Sequence, residues 1–345
     1  MLLRIFHETK LTYTAPVTET VFEVRMAPPS DEDQTSLRYR LETKPRAPVT
    51  SYRDGFGNRV DLFNVAIPYR ELVVQVTSYV RTHRRPASGR LAGIAWPVAG
   101  PIAIEALEFL APSPLVDRGA ALDALVAELP RPSGTLADAL LRILGVVGGR
   151  LRYEMKATTA RTPLSEALAL GRGVCQDFAH LFIGVCRTLG LPARYVSGYV
   201  NHPGEVATHA WCQVWAGEAA GWVDIDPTSG EFLGDDHVVT AVGRDYSDVP
   251  PNRGVWKGRA EESMAVSVNV DPVDRVPLEW NEWATPAPMP SIAPMQFQRL
   301  GTHAVQGQRP GIGMGMGTGM GRPAYPNQPR ARASLHQQQG EQQQQ

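Results

Sequence analysis

The sequence predicts an α+β protein: a helix that begins at a cysteine, packed on an antiparallel sheet, with a β-sandwich domain ahead of it. Three observations carry this. Phe178, Ala179, Phe182, Val185, Cys186 and Leu189 recur at three- and four-residue spacing, which makes one apolar helix face. Thr208–Trp215 and Trp222–Thr228 are aromatic and β-branched and alternate with period two, as strands do. Short β-prone runs recur between residues 11 and 77. The implied domains are 1–83, β-rich; 84–101, a linker; 102–275, the core; and 276–345, a low-complexity tail.

Taken in order, Leu11–Thr14, Thr20–Arg25, Leu37–Leu41 and Leu72–Thr77 are the first strands. The glycine-rich turn Asp54–Val60 leads into another at Asp61–Phe63. A lone histidine on the first strand, His7, is expected to be structural. Residues 81–101 mix basic residues with glycine and proline and lack periodicity. Arg84, Arg85 and Arg90 are therefore expected in a solvated connection. Two helical faces follow, Leu122/Leu125/Val126/Leu129 and Leu136/Leu140/Leu141/Leu144/Val147. The extended piece Leu151–Glu154 carries Tyr153.

The stretch Gly171-Arg-Gly-Val-Cys-Gln-Asp-Phe-Ala-His180 places Cys175 in the first turn of the next helix. Unpaired N–H groups and the helix dipole favour negative charge there. With a histidine nearby, such a site can hold a thiol as thiolate, the nucleophilic form. Gln176 follows directly, and its backbone N–H with that of Cys175 suits an oxyanion hole. Asp177 reads as a structural first-turn carboxylate, and His180 as a satisfied helix histidine. Gly190 and Pro192 end the helix.

The loop Ala216–Ala220 is short, so the two strands around it should form a hairpin. His209, Trp211, Gln213 and Trp215 share a face, as do Trp222, Asp224 and Asp226. If Trp215 or Gln213 lies opposite Trp222, Asp226 falls opposite His209 or one diagonal step away. Asp224 then lies beside Gln213 or Trp211, so register favours Asp226. Cys175, His209 and Asp226 thus read as nucleophile, base and orienter.

The Gly-x-Gly-Val-Cys-Gln-Asp-Phe-Ala-His, His-Ala-Trp and Asp-Pro-Thr segments resemble the core of the bacterial transglutaminase-like family. Ala193–Tyr199 and Gly243–Pro251 extend the resemblance, and residues from His7 to about Val80 are similar to the β-rich domain that precedes that core. The resemblance implies a papain-like fold with a Cys175–His209–Asp226 triad, and puts Tyr153 beside the active site. Tyr153 and Trp211 join Gln176 as candidate groove or oxyanion residues. It implies acyl transfer at amide bonds through a thioester, on a peptide or protein substrate bearing an amide or glutamine side chain. Hydrolysis by a protease or amidase is favoured over cross-linking. The different-class alternative is a non-catalytic binding module on the same fold.

A formal charge of −1 offers no electrostatic case for nucleic acid. Three cysteines are few and odd, which argues for a reducing compartment. Cys186 and Cys212 are expected to pack in the core. No Cys-x-x-Cys, His-x-x-x-His or P-loop pattern occurs, so no metal or cofactor is expected. The N-terminal apolar run is too short for a secretory leader and no stretch suits a membrane span, so the expectation is a cytoplasmic protein. Trp256 and Ala265–Val270 are expected to close the core as a hairpin. Beyond them, proline-rich, Gly/Met and glutamine-rich compositions predict a disordered tail.

Overall fold

Alternating burial in the first strand shows how the N-terminal region folds. In β1 (Leu2–Val17), Leu3, Ile5, His7, Thr9, Leu11 and Tyr13 point inward, and the residues between them do not. The strand is long enough to serve two cores, one at each end. The computed structural model that shows this describes residues 1–129, 134–201 and 208–277. The sequence-predicted tail beyond 277 lies outside the described residues.

β1 is followed by β2 (Glu19–Val24), β3 (Gln34–Lys44), β4 (Val49–Arg53), β5 (Arg59–Val65) and β6 (Tyr69–Thr82). They form two antiparallel sheets, one holding β1, β6 and β3 and the other β2, β5 and β4. Leu11, Tyr13, Leu72 and Val74 of the first sheet meet Phe22, Val24 and Phe63 of the second in one buried cluster. Each such side chain contributes roughly 1.5–3 kcal/mol by leaving water. The other end of the first sheet, at Leu3, Ile5 and Val80, packs against Tyr199 and Val238 of the core.

The connection holds α1 (Ala87–Arg90) and α2 (Ile104–Leu107) and is not the solvated linker expected. The Arg90 side chain is 4% exposed, bridging Asp33 at 2.8 Å and the carbonyls of Ala220 and Trp222 at 2.7 Å. Arg84 is buried equally and lies 3.4 Å from Asp224. The guanidinium forks find carbonyl acceptors from distant strands, which local composition does not reveal.

In the core, α3 (Ala120–Glu128) and α4 (Leu136–Arg150) lead to β7 (Arg152–Tyr153), α5 (Leu164–Leu170), β8 (Arg172–Gly173) and α6 (Cys175–Thr188). A Thr135–Asp138 capping box starts α4. Then come β9 (Ala193–Val200), β10 (Thr208–Trp215), β11 (Trp222–Asp226), β12 (Glu231–Phe232) and β13 (His237–Gly243), paired in the order β12-β11-β10-β9-β13, all antiparallel. Phe182 and Cys186 of α6 share the main core cluster with Cys212 and Val214 of β10 and Ile225 of β11. This is the expected α+β arrangement of a helix on an antiparallel sheet.

The last two strands depart from expectation. β14 (Asn252–Lys257) pairs with β2, and β15 (Glu262–Pro272) pairs with β1 from Leu3↔Pro272 to Tyr13↔Glu262. They are not a hairpin closing the core. They complete the two N-terminal sheets as edge strands. Period-two alternation identified strands here but carries no information about their partners.

Candidate active site

The turn before α6 is fixed by two glycines. Gly171 ends α5 in the left-handed region at φ 63°, which glycine adopts without penalty. A Cβ on Gly173 would lie 2.4 Å from the Asp177 carboxylate, so only glycine lets that side chain fold back. Asp177 accepts the Val174 N–H at 2.8 Å and the Thr158 hydroxyl at 2.5 Å. It is a structural cap, as expected; burial raises its pKa. The carbonyl of Val174 takes the N–H groups of Asp177 and Phe178. The earlier first-turn N–H groups, on Cys175 and Gln176, precede the intrahelical ladder.

The β10–β11 register pairs Trp215 with Trp222 and Gln213 with Asp224, so Asp226 falls one diagonal step from His209. Nε2 of His209 meets Asp226 Oδ2 at 2.8 Å, and Asp226 Oδ1 accepts the Thr228 N–H at 2.8 Å. Cys175 lies on the same cavity as this imidazole and is the second group that acts on it. Burial alone would lower the pKa of His209, but the bonds and charges of Asp226 and Cys175 raise it to about 10. For Asp226, burial works upward and is overcome by the His209 bond and charge and the Thr228 N–H, which hold its carboxyl below the usual range.

Cys175 and His209 open on a cavity of about 40 Å³ lined also by Gln176, Ser197, Tyr199 and Tyr246. Gln176 is 7% exposed, and its Nε2 has no hydrogen-bond partner among the described residues. That orphan donor beside the thiol suits a substrate oxygen.

Comparison with known proteins places the fold in a family. The transglutaminase-like superfamily model matches residues 123–227, and the bacterial transglutaminase-like N-terminal region matches residues 3–81. An uncharacterized protein of Mycobacterium leprae is 33% identical over 282 residues, 78% of this chain and 98% of that protein. The chain belongs to the transglutaminase-like superfamily. An uncharacterized protein of Mycobacterium tuberculosis H37Rv is 33% identical over 298 residues, 79% of this chain and 93% of its own length. A solved structure from Cytophaga hutchinsonii, described as a candidate cysteine protease, superposes with a TM-score of 0.62 at 21% identity, covering 80% of this chain and 93% of that one. This last likeness concerns the fold.

Within this transglutaminase-like core, two of the groove candidates stand elsewhere. Trp211 is fully buried and its Nε1 donates to Asp224 at 2.8 Å, so it has no proton left for an acyl oxygen. Its ring instead stacks on His209, with centroids 6.2 Å apart. Gly198 makes room for it, since a Cβ there would lie 2.3 Å from the indole. Tyr153 is 45% exposed and packs near Phe178, outside the cavity lining. Asp224 belongs to this support, binding Gln213 at 2.9 Å and Arg84 as well as Trp211.

The other cysteines are core residues: both are fully buried, burial pushes both thiols up, and Cys212 donates to the Ala179 carbonyl at 3.4 Å. His180 is buried, with its pKa lowered by burial to about 4, and accepts the Tyr246 N–H. That contact helps seat Tyr246, in the Gly243–Pro251 segment, on the cavity wall.

His237 is the residue that sequence reading passed over. Its Nδ1 pairs with Asp236 at 2.8 Å and its Nε2 lies 4.0 Å from Asp226 Oδ2. The ligand atoms of His209, Asp226 and His237 lie within 4.8 Å of one another, a donor set suited to a divalent ion such as zinc. The His209–Asp226 hydrogen bond already engages two of the three. Only the Asp236-His237 pair just upstream of a strand hinted at it.

Proposed function

We propose that this protein is a cysteine enzyme that cleaves amide bonds by acyl transfer, with water as the usual acceptor. The observation that supports it is that Cys175 and His209 line one cavity while His209 is hydrogen-bonded to Asp226. In this reading His209 takes the thiol proton and the Cys175 sulfur attacks the amide carbonyl carbon. The oxyanion sits against the N–H groups at the start of α6 and the free Gln176 Nε2. The C–N bond breaks, the amine leaves with the proton held on imidazole, and a thioester remains. Water, deprotonated by His209, then releases the acid and restores the thiol. An amine in place of water would make the cross-linking reaction instead. Asp226 holds the imidazole orientation and balances its charge. The likeness to a candidate cysteine protease accords with hydrolysis.

The test is the rate of Cys175 alkylation by iodoacetamide against pH, in wild type and His209→Ala. A thiolate reactive well below the range of a free thiol, and lost with His209, supports the reading. A profile like that of a free thiol, unchanged by the substitution, sinks it. Glutamine peptides incubated with and without an added amine then separate hydrolysis from transamidation by product mass.

A further inference from the structure

The cavity beside Cys175 is closed by residues from outside the catalytic core. His7 of β1 and Met26, two residues beyond β2, line it together with Tyr199, Ser197 and Tyr246. His7 and Met26 are 2% and 1% exposed, so both are withheld from solvent. Both belong to the N-terminal sandwich. We propose that the N-terminal domain selects the acyl group delivered to Cys175, with Met26 and His7 forming an end wall that admits only a slender, uncharged chain. The inference rests on Cys175 being the acylated residue.

Size and polarity both support it. A volume of about 40 Å³ holds roughly three waters. That leaves room for a short unbranched chain and none for a ring or a branched one. The wall is rigid: His7 Nδ1 bonds the Tyr199 hydroxyl at 2.9 Å and its Nε2 bonds Thr9 Oγ1 at 3.2 Å. Asn252 of β14 fixes Thr9 in turn at 2.9 Å. The histidine therefore cannot swing aside to enlarge the cavity. Burial lowers its pKa to about 3, so the wall is uncharged at neutral pH and offers no counter-ion to an acidic or basic chain.

The test uses p-nitrophenyl esters of lengthening and branching acyl chains, following the burst of p-nitrophenol as Cys175 is acylated. In parallel, Cys175 is alkylated by α-iodoamides with lengthening chains at the reacting carbon, each rate divided by that for glutathione. Wild type should lose about tenfold or more in rate per methylene beyond the cavity limit. Met26→Ala should raise the long-chain rates about tenfold relative to acetyl; Met26→Phe should move the limit the other way. A chain-length profile unaltered by both substitutions, in proteins that unfold cooperatively, would overturn the proposal. Absence of any ester burst, with the iodoamide limit still moved by Met26, would defeat acyl catalysis but leave the end wall standing.

Discussion

His209 Nε2 and Asp226 Oδ2 lie 2.8 Å apart, and Asp224, two residues earlier on the same strand face, binds Trp211 and Gln213 instead. Two aspartates in one five-residue strand thus do different work. One meets the imidazole, and the other holds the indole on which that imidazole stacks.

This division predicts different outcomes for equivalent substitutions. Asp226→Asn loses the charge opposite imidazolium and should lower kcat/KM by about 10³–10⁴, the scale of removing an orienting carboxylate. Asp224→Asn keeps an acceptor for Trp211 and leaves the His209 bond intact. Its effect on kcat/KM should stay within about tenfold. A larger loss in Asp224→Asn than in Asp226→Asn would contradict the assignment. Steady-state kinetics on an amide substrate, with Tm for both variants, makes the comparison.

The same pair sets a pH dependence of stability. The pKa of His209 is raised in the fold, so its contribution is complete below the unfolded value of 6.5 and disappears as pH climbs through about 10. The pKa of Asp226 is lowered, so its contribution is present above the unfolded 3.8 and disappears as pH falls through its depressed folded value. Stabilisation by the pair is greatest between these limits and declines from neutral pH to pH 10. Urea unfolding of wild type should therefore show a midpoint that falls from pH 6 to pH 10. His209→Ala should remove part of that slope; equal slopes in the two proteins would mean that the pair is not linked to folding.

Cys175, the His209 strand and the choice of Asp226 were legible because each depends on local periodicity, a turn or a short hairpin. Gly171 and Gly173 announced the sharp entry to α6, and alternation put His209 and Asp226 on one face. What escaped depends on partners far along the chain. Arg90 is buried because Asp33 and two carbonyls from the β10–β11 hairpin region converge on it, which no window around residue 90 contains. His237 reaches Asp226 only through the sheet order that puts β13 beside β9. Nothing local to Trp211, a groove candidate, shows that the buried Asp224 of the next strand occupies its N–H.

Arg90 gives a prediction of its own. Its truncation leaves Asp33 and the Ala220 and Trp222 carbonyls without their donor in a buried setting. Arg90→Ala should destabilise the fold by about 3–5 kcal/mol, as removal of one partner of a buried ion pair does. Arg90→Lys keeps the charge but not the fork, and should recover only part of it. Equilibrium denaturation measures both. A loss below about 1 kcal/mol for Arg90→Ala would return this arginine to the solvated surface.

The last prediction concerns where the protein can be cut. β14 and β15 cover the edges of β2 and β1, and β15 alone spans eleven register positions along β1. A chain ended at Pro250 retains Cys175, His209 and Asp226 but leaves two long strand edges unpaired. Such edges are templates for pairing with other chains. It also removes Asn252 and Trp256; the Trp256 ring packs edge-on against Tyr13, with centroids 5.4 Å apart. A chain ended at Pro277 keeps all of these. The shorter chain should aggregate during expression or refolding, and the longer one should elute as a discrete species in size-exclusion chromatography. If the chain ended at Pro250 is soluble, unfolds cooperatively and alkylates at Cys175 like the longer one, the returning strands are dispensable. Expected instead is loss of both solubility and thiol reactivity, because β1 and the segment after β2 carry His7 and Met26 to the cavity wall.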